Sequence, residues 1–139
     1  MKEQKPSEVI SGFLSFLEQM NAEHIACNKT VEICNQRNID YLHDMEFAKD
    51  KNARNRVATK MHNNQVARRE TKDRALETEY IAKFFTDKNN RAFIGSMKRL
   101  LKDQQSREKF LEGERHYERR VGDSDAYDTG GQQTAGKKA

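Results

Sequence analysis

The sequence contains an interval of 82 residues, between Gly12 and Gly95, with neither glycine nor proline. These two residue types interrupt helices and mark turns, so a long interval without them favours helix. The single proline, Pro6, precedes Ser7, which we expect to cap the first helix. Glu8 lies in the first turn, where the helix dipole favours an acidic side chain. The interval therefore predicts long helices that begin near residue 7.

Apolar residues recur every three or four positions for more than five heptads, which is long enough to predict a coiled coil. We expect a partner helix to pack along this row, in either the parallel or the antiparallel direction. The row consists of Ile10, Phe13, Leu17, Met20, His24, Cys27, Val31, Cys34, Asn38, Tyr41, Met45 and Ala48. The predicted partner or oligomer seam comprises nine of these residues, all except His24, Tyr41 and Ala48.

Asn38 occupies a position in this row that is usually apolar. A single asparagine buried between helices fixes their register and oligomeric state at some cost in stability. A second interpretation is that the helix breaks within the polar stretch 35–38. The sequence leaves both interpretations open.

The apolar content of the chain is low for a globular domain. Hydrophobic residues make up 35% of the sequence, against about 45–50% in typical soluble domains. Leu, Ile, Val and Phe together account for 25 of the 139 residues, and tryptophan is absent. A large core is excluded. The predicted fold class is all-α, with long helices that form an elongated coiled-coil-like rod or a helical hairpin, and a disordered C-terminal tail.

Composition changes along the chain predict five segments. Residues 1–6 are a flexible N-terminus, residues 7–48 a heptad-bearing coiled-coil helix, and residues 49–75 a basic polar helix. When the heptad register is continued into residues 49–75 it meets mainly polar side chains, which predicts that this helix has no apolar face to bury. Residues 76–120 form amphipathic helices with a turn at the polar stretch 86–90. Residues 121–139 are rich in Gly, Asp, Ser and Gln, which predicts a disordered tail.

Basic side chains concentrate in the middle of the chain. Residues 1–48 carry a net charge of −4, residues 49–74 carry +6, and residues 75–139 carry +2. The cations of the middle segment are Lys49, Lys51, Arg54, Arg56, Lys60, Arg68, Arg69, Lys72 and Arg74. They could neutralise phosphates of a nucleic acid. At 100° per residue they spread around several helix faces, which favours a solvated helix or one that meets an acidic surface.

His24, Cys27 and Cys34 share one helix face, where they could bind a soft metal ion or allow an interchain disulfide. We expect core packing instead, because a fourth ligand is missing and buried cysteine is a common small apolar residue. The sequence also lacks the recognised phosphate-loop, nucleophile-elbow and HExxH motifs. We therefore predict no metal, no cofactor, no small-molecule substrate and no enzymatic activity.

The N-terminus lacks the apolar region of a secretory signal, and no apolar run approaches the length of about 18 residues that spans a bilayer. We expect a soluble, intracellular protein, cytoplasmic by default, with no membrane contact. The predicted function is that of a non-enzymatic helical structural or adaptor subunit. It would assemble with protein partners, as a homo- or hetero-oligomer, through a coiled-coil seam. The alternative is a dimeric nucleic-acid-binding protein that uses the basic helix 49–74.

Overall fold

The computed structural model describes residues 3–121 and confirms the all-α fold class. Its elements are α1 (Pro6–Phe47), α2 (Lys51–Thr86), a 3-10 turn at Lys88–Asn90, and α3 (Arg91–Glu112). No strand occurs within these described residues. The chain divides into two units, residues 1–106 and residues 107–139. The predicted disordered tail lies outside the described residues except for its first residue, Val121.

Helix α1 begins one residue before the predicted cap. Lys5 is the N-cap residue, and Pro6 occupies the first helical position. Proline suits this position because its fixed φ angle is helical and the N–H that it lacks would have no partner there. The prediction that Ser7 caps the helix is therefore wrong, and Ser7 is buried in the first turn. The helix then runs without interruption through residues 35–38 to Phe47, so it does not break at the polar stretch.

A short turn at residues 48–50 separates α1 from α2. Asp50 caps α2, since its Oδ1 accepts a hydrogen bond from the backbone N–H of Ala53 at 2.7 Å. Because the chain leaves the helical conformation at this turn, the heptad register of α1 does not predict which residues of α2 face inward. The prediction that residues 49–75 have no face to bury is wrong for this reason. The inner row of α2 is Ala53, Val57, Met61, Asn64, Arg68, Thr71, Ala75, Thr78 and Ala82, all buried or half-buried.

Helices α1 and α2 pack side by side as an antiparallel hairpin. The Asn64 side chain reaches the carbonyl oxygen of Cys34 at 2.8 Å, near the middle of the hairpin. Further from the turn, His24 Nδ1 lies 2.9 Å from the carbonyl oxygen of Ala75. Later residues of α2 thus contact earlier residues of α1, which shows that the two helices are antiparallel. The partner that packs along the apolar row of α1 in this structure is α2 of the same chain.

The core of the hairpin is narrow. Its buried apolar side chains include Leu14, Leu17 and Cys34 from α1, but α2 contributes the small residues Ala75 and Ala82. Small side chains on one helix let two helix backbones approach closely, so little apolar volume is needed between them. This arrangement explains how a chain of low hydrophobic content forms a packed hairpin.

Helix α2 ends at Thr86, inside the stretch for which the sequence predicts a turn. Asp87 caps the 3-10 turn by accepting a hydrogen bond from the backbone N–H of Asn89 at 2.9 Å. Beyond the turn, the rings of Phe84 and Phe93 meet edge to face, with centroids 6.0 Å apart. The start of α3 is thereby held against the end of α2.

Helix α3 stops at Glu112, which is earlier than the helical segment 76–120 predicted from the sequence. The N–H of Gly113 closes the last turn on the carbonyl oxygen of Lys109 at 3.2 Å. Residues 113–121 have no regular secondary structure. Among the helices described here, none combines the length and apolar character needed to cross a bilayer.

Candidate interaction surfaces of the hairpin

The predicted seam of α1 lies mostly on the face that packs against α2. Eight of its nine residues are buried or half-buried, and Phe13 is the exception at 41% exposed. Leu14, 8% exposed, is buried in its place. An α-helix has 3.6 residues per turn, so a strict heptad row drifts slowly around it. Use of these residues by a second protein stays a prediction, because α2 covers them in this structure.

His24 forms a polar bridge between the two helices. The Ala75 carbonyl oxygen can only accept a hydrogen bond, so the Nδ1 atom that lies 2.9 Å from it carries the proton. The opposite ring nitrogen, Nε2, accepts from the Asn28 side-chain amide at 3.1 Å. Both ring nitrogens therefore have hydrogen-bond partners. This histidine has a structural role in the hairpin.

Asn38 meets Gln65 of α2, whose Nε2 donates to Asn38 Oδ1 at 3.3 Å. One helical turn nearer the start of α1, Arg68 Nε donates to Asn35 Oδ1 at 2.6 Å. Polar side chains of the stretch 35–38 thus pair across the hairpin. Their effect on oligomeric state stays a prediction.

Glu23 and Arg74 form an ion pair across the hairpin. Arg74 Nη2 donates to Glu23 Oε2 at 3.0 Å and Nε donates to Oε1, which makes the contact bidentate. The hydrogen bond from Arg74 lowers the pKa of Glu23, and the bonds to Glu23 and Glu77 raise the pKa of Arg74. Both pKa shifts are thus explained by an ion pair that holds the hairpin together, because each charged group stabilises the charged form of the other.

Both cysteines carry free thiols. Cys34 is 1% exposed and packs between the helices, while Cys27 is half-buried. Within residues 3–121 no group of three or more His, Cys, Asp or Glu side chains is placed to hold a metal ion. His24, which the sequence grouped with them, is engaged with α2.

The nine cations of the basic segment differ in their exposure and in their partners. Arg68 and Arg74 are half-buried and pair with α1, and the other seven are exposed. Four of the exposed cations lie on one exposed row of α2, which has helical spacing and no acidic residue. This basic row is Lys51, Arg54, Ala58, His62, Gln65, Arg69 and Lys72. It spans about 30 Å along the helix.

A cleft between the helices brings together residues that are distant in sequence. Arg37 and Tyr41 of α1 line it from one side, and Lys60, Asn63, Asn64 and Ala67 of α2 line it from the other. Its volume is about 300 Å³. The cleft could not be predicted from the sequence, because its existence depends on where the turn places α2 along α1. The sequence offers no local signal that pairs Arg37 with Lys60.

An apolar patch lies exposed near the start of α1. Val9, Phe13 and Phe16 are exposed at 56%, 41% and 42%, and their spacing of four and three residues places them on one side of the helix. Gly12 lies among them, and a Cβ atom added there would meet nothing within 4 Å. Of the three patch residues, the heptad row includes Phe13 but neither Val9 nor Phe16. The available signal was the high apolar content of residues 9–17, in which only Ser11, Gly12 and Ser15 are not large apolar residues.

Comparison with known proteins adds no assignment to these surfaces. The chain matches no protein-family model, no curated protein and no solved structure.

Proposed function

We propose that this chain is a non-enzymatic helical structural subunit that assembles with a second copy of itself through the apolar patch of α1. The observation that carries the proposal is the exposure of Val9, Phe13 and Phe16 beside an exposed Gly12. The apolar row of α1 is already covered by α2. A partner therefore has to use a different surface, and this patch offers the large side chains that association requires.

Burial of the patch would supply a substantial driving force. A large apolar side chain that moves from water into an interface contributes about 1.5–3 kcal/mol. Val9, Phe13 and Phe16 each have much of that area still exposed to solvent. Apolar side chains clustered on one exposed face are typical of protein interaction sites.

Gly12 supports the choice of a helix as the partner. Glycine inside a helix costs about 0.5–1 kcal/mol relative to alanine. Packing within the hairpin does not require glycine at position 12, since no atom lies within 4 Å of an added Cβ. A second helix that crosses at this point would require glycine, because the missing side chain allows the two backbones to approach closely.

The spacing of the patch is self-complementary, which favours a second copy of this chain. Two α1 helices that cross in antiparallel fashion between residues 12 and 13 place Val9 of one copy opposite Phe16 of the other. The same crossing sets Phe13 of each copy against Gly12 of its partner. A two-fold interface requires this reciprocity of contacts.

Sedimentation of the full chain across a wide concentration range tests the proposal. We expect a monomer–dimer equilibrium that Phe16→Ser weakens roughly 100-fold, since each copy loses about 1.5 kcal/mol. Gly12→Gln should also weaken the dimer by filling the crossing point. Tyr80→Ser is the matched control, because Tyr80 is exposed but lies on α2. A monomer at every concentration, or equal loss in Tyr80→Ser, would contradict self-assembly.

The second candidate function is nucleic-acid binding through the basic helix 49–74. The observation in its favour is the basic row, in which four cations lie within about 30 Å without an acidic neighbour in the row. Each phosphate that a cation neutralises adds about −0.9 to the slope of log affinity against log salt on duplex DNA. Arg54→Glu with Arg69→Glu should lower the slope and the affinity, whereas Arg56→Glu, outside the row, should have a smaller effect. A slope near zero would exclude this function.

A further inference from the structure

The cleft between α1 and α2 concentrates positive charge from both helices. Arg37 comes from α1 and Lys60 from α2, and none of the residues that line the cleft is acidic. Neither cation forms an ion pair in the part of the chain that the structure describes, whereas Arg74, elsewhere in the same hairpin, pairs with Glu23 and Glu77. The two uncompensated charges repel each other, and an anion bound between them would remove that repulsion.

The remaining polar residues of the cleft supply hydrogen-bond donors. Tyr41 has a phenolic hydroxyl and Asn63 a side-chain amide, and both line the same space as the two cations. Asn64 is held in place by its bond to the Cys34 carbonyl oxygen at 2.8 Å, which fixes one wall of the cleft. The site is thus assembled from two rigid helices, and it exists only when the hairpin is folded.

We propose that this cleft binds a phosphate group, either as free phosphate or as the phosphate monoester of a small molecule. A phosphate monoester carries a charge of about −1.5 to −2 near neutral pH and has three acceptor oxygens, which matches two cations and two neutral donors. The Arg37 guanidinium presents a planar fork of N–H donors that fits two phosphate oxygens, and Lys60 adds a point charge. The cleft volume of about 300 Å³ leaves room for a small organic group attached to the phosphate.

The surrounding acidic residues do not occupy the cleft. Asp40 and Asp44 are exposed on α1, and Glu70 is exposed on α2, but none of the three lines the cleft. The cleft lining therefore carries two cations and no carboxylate. It shares no residue with the basic row, which lies elsewhere on α2.

Thermal unfolding of the full chain in inorganic phosphate tests the proposal, because a ligand that binds only the folded hairpin raises its melting temperature. At phosphate about five times its dissociation constant, we expect a rise of about 3–5 °C relative to chloride at equal ionic strength. Adenosine monophosphate and phosphoserine in place of inorganic phosphate identify the source of the phosphate. A larger rise with either indicates a monoester, and an equal or smaller rise indicates free phosphate. No rise with any of the three overturns the proposal.

Charge-matched variants distinguish binding in the cleft from a nonspecific effect of positive charge on the protein surface. Arg37→Gln and Lys60→Gln should each remove most of the rise, and Lys60→Arg should keep it. Arg54→Gln and Lys72→Gln make the same change of charge in the basic row and should leave the rise intact. The proposal is overturned if chloride acts as phosphate does, if the cleft variants keep the rise, or if the basic-row variants lose it equally. It is also overturned if RNA or duplex DNA binds through Arg37 while phosphate gives no rise. The far-ultraviolet circular dichroism of each variant verifies that the hairpin is folded.

Discussion

Asn64 of α2 donates its side-chain N–H to the carbonyl oxygen of Cys34 on α1, at a distance of 2.8 Å. This bond joins a polar side chain of one helix to the backbone of the other in the middle of the hairpin. Both residues are buried, so water cannot replace the bond. It fixes the position of α2 along α1, and with it the alignment of the cleft.

Substitution Asn64→Ala should lower the free energy of unfolding by about 1–2 kcal/mol, through the lost hydrogen bond and the lost packing. Its neighbour Asn63 is exposed and provides the control. Asn63→Ala should change stability by less than about 0.5 kcal/mol. Urea denaturation at equal protein concentration measures both. Equal stability of the two variants would show that the bond to Cys34 contributes nothing.

The Glu23–Arg74 pair predicts a dependence of stability on pH. The pKa of Glu23 is lowered from its ordinary value of 4.5 in the folded hairpin, chiefly by the hydrogen bond from Arg74. The unfolded chain therefore takes up the proton first as the pH falls. The contribution to stability is complete above pH 4.5 and is lost as the pH drops through the lowered folded value.

Glu23→Gln should accordingly melt at a lower temperature than the unmodified chain at pH 6, with the difference shrinking towards pH 3. The pair is partly exposed to solvent, so a small difference is expected. Glu18→Gln, at an exposed position of the same helix, is the control. A Glu23→Gln difference that is constant with pH would mean that the carboxylate charge does not stabilise the hairpin.

Thr78 is fully buried where α2 approaches α1. Its hydroxyl donates to the carbonyl oxygen of Arg74 at 3.0 Å and lies 3.2 Å from His24 Nδ1 of α1. Because the side chain is fully buried between the helices, a larger one would have to displace its neighbours. Thr78→Leu should destabilise the hairpin by about 1–3 kcal/mol through overpacking. Tyr80→Leu, two residues later at a position 79% exposed, should have little effect. Chemical denaturation of both variants tests whether close helix approach is required.

The two thiols should differ in reactivity with a thiol reagent under native conditions. Cys34 is 1% exposed and should be modified only when the hairpin opens, whereas the half-buried Cys27 should react earlier. Single variants Cys27→Ser and Cys34→Ser assign the two phases. Rapid modification of Cys34 in the native state would contradict the packing described here.

Gly12→Ala should stabilise the monomeric hairpin by about 0.5–1 kcal/mol, because alanine is the better helix former and the new methyl group meets no neighbour. Urea denaturation under conditions where the chain is monomeric measures the change. A loss of stability would show that Gly12 has a role within the hairpin itself, which would remove one support for the proposed interface.

The helices themselves could be predicted from the sequence. The interval without glycine or proline predicts α1 and α2, and the polar stretch 86–90 predicts the turn before α3. The apolar row of α1 also predicts most of its inward face. These features are local, because helix propensity and the 3.6-residue period act within a few turns of the chain.

At Phe13 the heptad row and the buried face of α1 differ. The heptad row assigned Phe13 inward, but Leu14 is the buried residue, because the contact face drifts around a helix that is not bound to a strict seven-residue repeat. The apolar patch of Val9, Phe13 and Phe16 follows from that difference. The row is correct on either side of this position, at Ile10 and Leu17, and wrong at Phe13.

The sequence by itself determined that this chain forms long helices around a narrow core, because that conclusion depends on composition and local periodicity. The tertiary structure alone decided which face of α2 is buried. Apart from Val57 and Met61, that face carries Ala, Thr, Asn and Arg, so no continuous apolar row identifies it, and it is selected by close approach to α1. The packing of α2 against α1 also places Arg37 and Lys60 in the same cleft. Contacts between helices depend on where the turn at residues 48–50 aligns them, and local periodicity carries no information about that alignment.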